Sequence, residues 1–160
     1  MADTKIQRYE LGSVAWLNAF REWTKARLSD DFWGIFYKGA VRIRDTCALS
    51  VEATNPPAHL LRGGRATLGW YLRCKDSQIE IGDYPLADAD HRMIADYDLL
   101  RKWYKLTDEE DRPFIQTEMP KLLQEHKLHI HYGDPERVQK LTELQWLMHW
   151  RDEFYSVYTA

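Results

Sequence analysis

Histidines and acids recur in this chain at spacings that could do chemistry. In KLHIHYGDP (127–135), His129 and His131 are two apart on an expected strand, so both side chains leave one face. With His126 and Glu125 beside them, such a pair could furnish the ligands of a metal ion. The other face of that strand carries Leu128, Ile130 and Tyr132. The simpler reading sends Leu128 and Ile130 into a core and leaves the histidines in solvent. No metal site and no cofactor is therefore expected. His149 and Asp152 are three apart on an expected helix, where one face holds both. His91 and Asp83 fall in IEIGDYPLADADHRMIADYDLLRKW (79–103). If the chain is an enzyme, His91, His149, Asp83 and Asp152 are its acid–base candidates, moving a proton on a substrate held in a cavity.

Nucleophilic and phosphate chemistry find less support. There is no Gly-x-Ser-x-Gly, no Gly-x-Gly-x-x-Gly and no phosphate loop. RGGR (62–65) reads as a plain turn. The net charge is −3 and no Lys/Arg block occurs, which argues against a nucleic-acid partner. Cys47 and Cys74 sit in apolar surroundings outside any Cys-x-x-Cys, as buried thiols of a reducing compartment do. No apolar run is long enough to span a membrane, and MADTKIQRYELG lacks a signal-like apolar region. A cytoplasmic protein is expected.

Stepping to the elements, one domain over 1–160 accommodates a full core. A helix should begin at the Gly12-Ser13 cap, with Trp16, Phe20 and Trp23 as an apolar stripe widened by Leu17 and Leu28. Asp30-Asp31 oppose its dipole and should end it. Val41, Ile43, Cys47, Leu49 and Val51 alternate with polar or small residues, as one kinked strand or a hairpin does. The loop 54–64, with Pro56-Pro57 and Gly63-Gly64, is a candidate gate over a cavity. Leu68, Trp70, Leu72 and Cys74 share one strand face, and a turn at 75–78 pairs Cys74 with Ile79 and Leu72 with Ile81. That register sets Trp70 opposite Asp83, where a bulge at Gly82 would turn the carboxylate outward. HRMIA is a further strand, and Asp96 caps a helix carrying Leu99, Leu100, Trp103 and Leu106. TDEEDRP is a helix start or a loop, followed by a helix to about Glu125. Asp134-Pro135 then opens a last helix with Val138, Leu141, Leu144, Leu147 and Met148, ending near Phe154 to Tyr158. The fold class is α+β, with a mostly antiparallel sheet covered by helices.

In that layout, WYLRCKDSQIEIGDYPL, ADADHRMIADY, DLLRKW and LHIHYGDPERVQKL occur in an order and spacing that resemble the sterol carrier protein 2 (SCP2) family. The resemblance covers about half the chain. It implies a sheet of about five strands with helices enclosing an apolar cavity for sterols, acyl chains or similar ligands. The chain departs from the family in a longer 107–126 segment, an aromatic C-terminal helix and the absence of a Ser-Lys-Leu address. A narrower, aromatic-lined pocket suits a ring compound. Aromatic residues are 13% of the chain, with seven Trp and nine Tyr, enough to line a cavity or simply to fill a core.

The expected function is thus non-covalent binding or transfer of a hydrophobic small molecule. Trp70, Leu72, Ile81 and Met93 are the candidate lining on the sheet side, and Trp103, Trp146 and Tyr158 on the helix side. One rival is a small cofactor-independent enzyme using the same cavity. Another is an interaction module for a larger enzyme, docking through the first helix or the aromatic tail. A homodimer is left open.

Overall fold

The structure is a computed structural model and describes residues 6–29, 46–75, 78–139 and 142–160. Helix α1 (Val14–Ser29) starts where Ser13 Oγ accepts the Trp16 N–H at 3.1 Å. Strand β1 (Cys47–Thr54) pairs antiparallel with β2 (Leu68–Lys75), which pairs antiparallel with β3 (Gln78–Gly82). Strand β4 (His91–Asp96) leads into α2 (Tyr97–Trp103), and Asp96 caps that helix by accepting the Asp98 N–H at 3.0 Å. A segment of α3 (Asp108–Pro113), a π-helical turn (Phe114–Glu118) and α4 (Met119–Gln124) precedes β5 (Leu128–Tyr132). Thr107 and Glu110 form a capping box at the start of α3. The chain closes with α5 (Pro135–Gln139), begun by Asp134 accepting the Glu136 N–H at 3.0 Å, and α6 (Thr142–Tyr158). The expected segment at 41–45 lies outside the described residues.

The five strands form one sheet in the order β3-β2-β1-β4-β5. Three pairings are antiparallel, but β4 runs parallel to β1, so the sheet is mixed. The reason is the crossover 83–90, which carries the chain from the β3 edge back over one sheet face to start β4 beside β1. Leu86 N–H donates to Ser50 Oγ at 2.8 Å, and Asp90 Oδ2 accepts the Ala48 N–H at 2.9 Å. Arg137 of α5 also donates to Asp90 Oδ1. Pro85 lies on Gly69, where a Cβ would stand 2.7 Å from the Pro85 backbone nitrogen. Gly69→Val is therefore expected to overpack this crossing and cost about 2 kcal/mol. Urea unfolding checks it, and an unchanged midpoint would contradict the close approach.

The hairpin register is the one the alternation predicts, with Cys74 opposite Ile79 and Leu72 opposite Ile81. The end of β3 differs from expectation. Pairing stops at Tyr71 with Gly82, and Asp83 lies exposed in the bend that follows. No bulge is needed, because the strand ends before Asp83 can turn inward. The Tyr71 ring occupies the space above Gly82 that a side chain would need.

Alternation puts Leu49, Val51, Trp70, Leu72, Ile81 and Met93 on one face, and that face is the covered one. The α1 stripe and the C-terminal half of α6 fill the space over it with rings. Phe20 stacks on Phe154 at 4.4 Å, and Trp16 meets Trp70 edge-on at 5.2 Å. Buried indoles keep their N–H bonded, as burial requires. Trp70 donates to the Tyr155 hydroxyl at 2.6 Å, Trp16 to Thr159 Oγ1 at 3.1 Å and Trp150 to Thr24 Oγ1 at 3.2 Å. The chain end is tied back through Tyr9, whose N–H donates to the Tyr158 carbonyl at 2.8 Å. Much of the aromatic content is therefore core.

Cys47 and Cys74 are buried register partners with no disulfide between them. The 54–64 loop carries a short turn, Ala58–Leu60, with Leu60 buried and Arg62 donating to the Gly12 carbonyl at 2.8 Å. It packs by the start of α1. No described helix is long and apolar enough to cross a membrane.

Candidate functional site

The aromatic cluster fills the space over β3, β2 and β1. Over β4 and β5 the covering is looser, and a half-open pocket of about 240 Å³ lies there. Its floor is the apolar sheet face: His91 and Met93 of β4 with their register partners Tyr132 and Ile130 of β5. One wall is the end of α2, Trp103 and Tyr104. Another comes from α3, the π-helical turn and the start of α4, with Asp111, Ile115 and Met119. The roof is one face of α6, where Met148, Arg151 and Asp152 follow at i, i+3 and i+4. Three of the chain's four methionines are thus in the lining, side chains that adapt readily to an irregular occupant.

Three polar groups in this pocket are buried without a hydrogen-bond partner: Arg151 Nη1, the Tyr104 hydroxyl and His91 Nδ1. The Arg151 side chain is 8% exposed, and its Nε donates to Asp152 Oδ1 at 3.1 Å. Asp152 itself is 44% exposed, so the pair is one buried cation and one half-solvated carboxylate. Burial opposes charge on Arg151, but Asp152 and the Tyr104 and Tyr155 phenols outweigh it and raise its pKa. The guanidinium stays charged. Burial raises Tyr104 and Tyr155 above the ordinary phenol range, so both are neutral. Burial first, then the Arg151 charge, hold His91 down to about 4. At neutral pH the pocket therefore sets one fixed cation, a neutral imidazole and a neutral phenol beside the Asp111 and Asp152 side chains. Trp103 Nε1 donates to Asp111 Oδ1 at 2.6 Å and fixes that acid at the rim.

A larger open groove of about 920 Å³ adjoins the pocket along Asp111, Ile115 and Asp152. His149 lies in this outer groove, exposed. Of the acid–base candidates, only His91 lies fully within the pocket, Asp152 stands at its edge, His149 is outside it, and Asp83 is exposed at the end of β3. Of the ligand-lining candidates, Met93 and Trp103 are in the pocket wall. Trp70 and Leu72 are packed within the core, Ile81 is buried opposite Leu72, and Tyr158 stacks on Phe154 at 4.8 Å. The side chain of Trp146 lies outside the described residues. On β5, Leu128 is buried while His129 and His131 are exposed and ring-stacked at 6.3 Å. Among the described residues no group of three or more His, Cys, Asp or Glu is placed to hold a metal ion.

Arg151 and Tyr104 escaped the sequence reading. A signal for Arg151 was present. It stands seven residues after Leu144 and three after Met148, on the apolar stripe of α6, where a cation has no reason to be unless something pairs with it.

Together the mixed sheet, its helix-covered face and the pocket define an α+β protein with an apolar, polar-handled hollow beside β4 and β5. No family model and no curated protein matches the chain. Among solved structures it is similar to one described as "UbiJ-SCP2 Ubiquinone synthesis protein", with a TM-score of 0.35, 18% identity, and 68% of this chain and 67% of that chain covered.

Proposed function

We propose that this protein binds a hydrophobic small molecule non-covalently in the pocket over β4 and β5. The observation that carries the reading is the pocket lining: Met93, Met119, Met148, Ile115, Ile130 and Trp103 around a few convergent polar groups. Small-molecule sites have that composition, with apolar area for affinity and sparse polar groups for orientation. Each Å² of apolar surface buried supplies about 25 cal/mol before ordering costs. The acid–base reading would have to run through His91, with Asp152 at the rim, because His149 and Asp83 stand outside the pocket. Turnover separates the two: an enzyme converts the compound it binds and loses that conversion in His91→Ala, whereas a carrier returns the compound unchanged. Docking through the first helix would need its tryptophans exposed, and Trp16 is 0% exposed; the aromatic C-terminal helix is the other surface which the interaction-module reading would use.

The test is native mass spectrometry of the purified protein, followed by extraction and identification of bound molecules. An apolar ring compound or lipid released at one per chain is the expected result. An empty protein that also fails to take up added aromatic compounds would overturn the reading.

A further inference from the structure

Resting on that reading, we propose that Arg151, Tyr104 and His91 form a receptor for an oxyanion, so that the occupant is a compact ring compound bearing one carboxylate. The three groups come from different elements, α6, the end of α2 and β4, and line one hollow. Each is at least nine-tenths buried, and each has an atom with no partner: Arg151 Nη1, the Tyr104 hydroxyl and His91 Nδ1. An unsatisfied polar atom in a buried site costs about 1–3 kcal/mol, more when charged, so three together in one pocket mark a place where an acceptor belongs.

The chemistry of the donors selects the head group. Arg151 Nη1 offers charged N–H donors, the Tyr104 hydroxyl another donor, and His91 a third in the tautomer protonated at Nδ1. A carboxylate accepts all of these and brings one negative charge to a guanidinium that Asp152 already meets through Nε, leaving Nη1 for it. A phosphate dianion would bring two charges into a hollow that Asp111 and Asp152 also line. Charge-assisted bonds of this kind are about twice as strong as neutral ones.

The volume selects the body. A cavity of ~150 Å³ takes benzene, about 25 Å³ per heavy atom. By that measure a pocket of about 240 Å³ holds about ten heavy atoms. A long acyl chain exceeds that volume. Its tail would have to leave past Asp111 and Asp152 into the adjoining groove, where Arg8, Arg112 and Glu153 stand beside Ile6, Ile115 and Val157. A single ring with a short side chain fits, with its face against the methionines and its carboxylate toward α6.

Calorimetric titration of the full chain with cinnamate and with cinnamamide, its uncharged counterpart of equal size, tests this. Cinnamate is expected to bind the protein at least tenfold tighter than the amide. In Arg151→Met that preference should vanish, and in Tyr104→Phe the preference should shrink severalfold. Equal affinity for acid and amide in the unaltered protein would overturn the receptor and leave the pocket reading standing. Failure of both compounds to bind would overturn the receptor and the pocket reading together. Tighter binding of palmitate than of cinnamate would overturn the size assignment. If Arg151→Met does not fold, Tyr104→Phe carries the comparison, and an unchanged preference in it overturns the receptor.

Discussion

Trp16→Ala is expected to destabilise the protein by about 4 kcal/mol, the range for deleting a fully buried large aromatic side chain. Trp16 is 0% exposed and packs against Trp70, Phe154 and Tyr155 at 5.2, 5.5 and 5.1 Å. Alanine would leave a cavity where α1, α6 and β2 meet. It would also leave Thr159 Oγ1, itself buried, without the indole N–H. Trp16→Phe separates the two contributions, since it keeps a ring and loses the hydrogen bond. A cost of about 1 kcal/mol follows from the bond, with a further loss for the smaller ring. Urea unfolding with unchanged slopes would register both as midpoint shifts. A cost below about 0.5 kcal/mol for the alanine variant would mean that Trp16 is on the surface, where such substitutions are nearly neutral. That outcome would revive the first helix as a docking face.

Acid should destabilise this protein through His91. Its side chain sits at the edge of the Tyr132 ring, 5.3 Å between centroids, in the same pocket as the Arg151 charge and the neutral Tyr104 phenol. In the folded state it takes a proton only near pH 4, against 6.5 for the unperturbed imidazole. Between those values the unfolded chain binds the extra proton and the folded chain does not. Stability is therefore full above pH 6.5, falls as pH drops through that window, and stops falling below about 4. The difference amounts to about 3 kcal/mol. His91→Leu keeps an apolar filler on that sheet face and removes the titration. Unfolding free energies for the two proteins, measured from pH 7.5 to pH 4, should diverge by about that amount, with the variant the less pH-sensitive. Parallel curves would show that His91 titrates as freely as a solvent-exposed histidine.

How far the sequence discloses this molecule depends on the range of the signal. Local signals were legible. Ser13, Asp96 and Asp134 cap the helices they were expected to cap, because a cap is written within three residues. The four-residue turn and period-two alternation fixed the β2–β3 register. Signals that depend on distant chain were not legible. Nothing near His91 announces that β4 will lie parallel to β1, since a crossover has no local signature. The last helix was expected to run from Asp134 to about Tyr158, and α5 and α6 are its described parts. The split of 108–124 by a π-helical turn was unread, although Pro113 sits at its start.

The site follows the same rule. Alternation correctly places Trp70, Leu72 and Met93 on one covered face, but which part of that face stays open depends on what covers it. Trp16, Phe154 and Tyr155 fill the side over Trp70. The shorter residues Met93 and Ile130 face the hollow, roofed by Met148 and Arg151. Arg151 was missed because a charge in WRDEF reads as surface until its helical phase is compared with that of Leu144 and Met148.

If the hollow over β4 and β5 is a binding site, a hydrophobic compound must enter it. Methyl NMR of the protein labelled at methionine tests it most directly, because Met93, Met119 and Met148 line the pocket. Titration with an aromatic compound such as cinnamate should shift these three methyls together and saturably. Shifts confined to one methyl, or none at concentrations that saturate ordinary small-molecule sites, would contradict it.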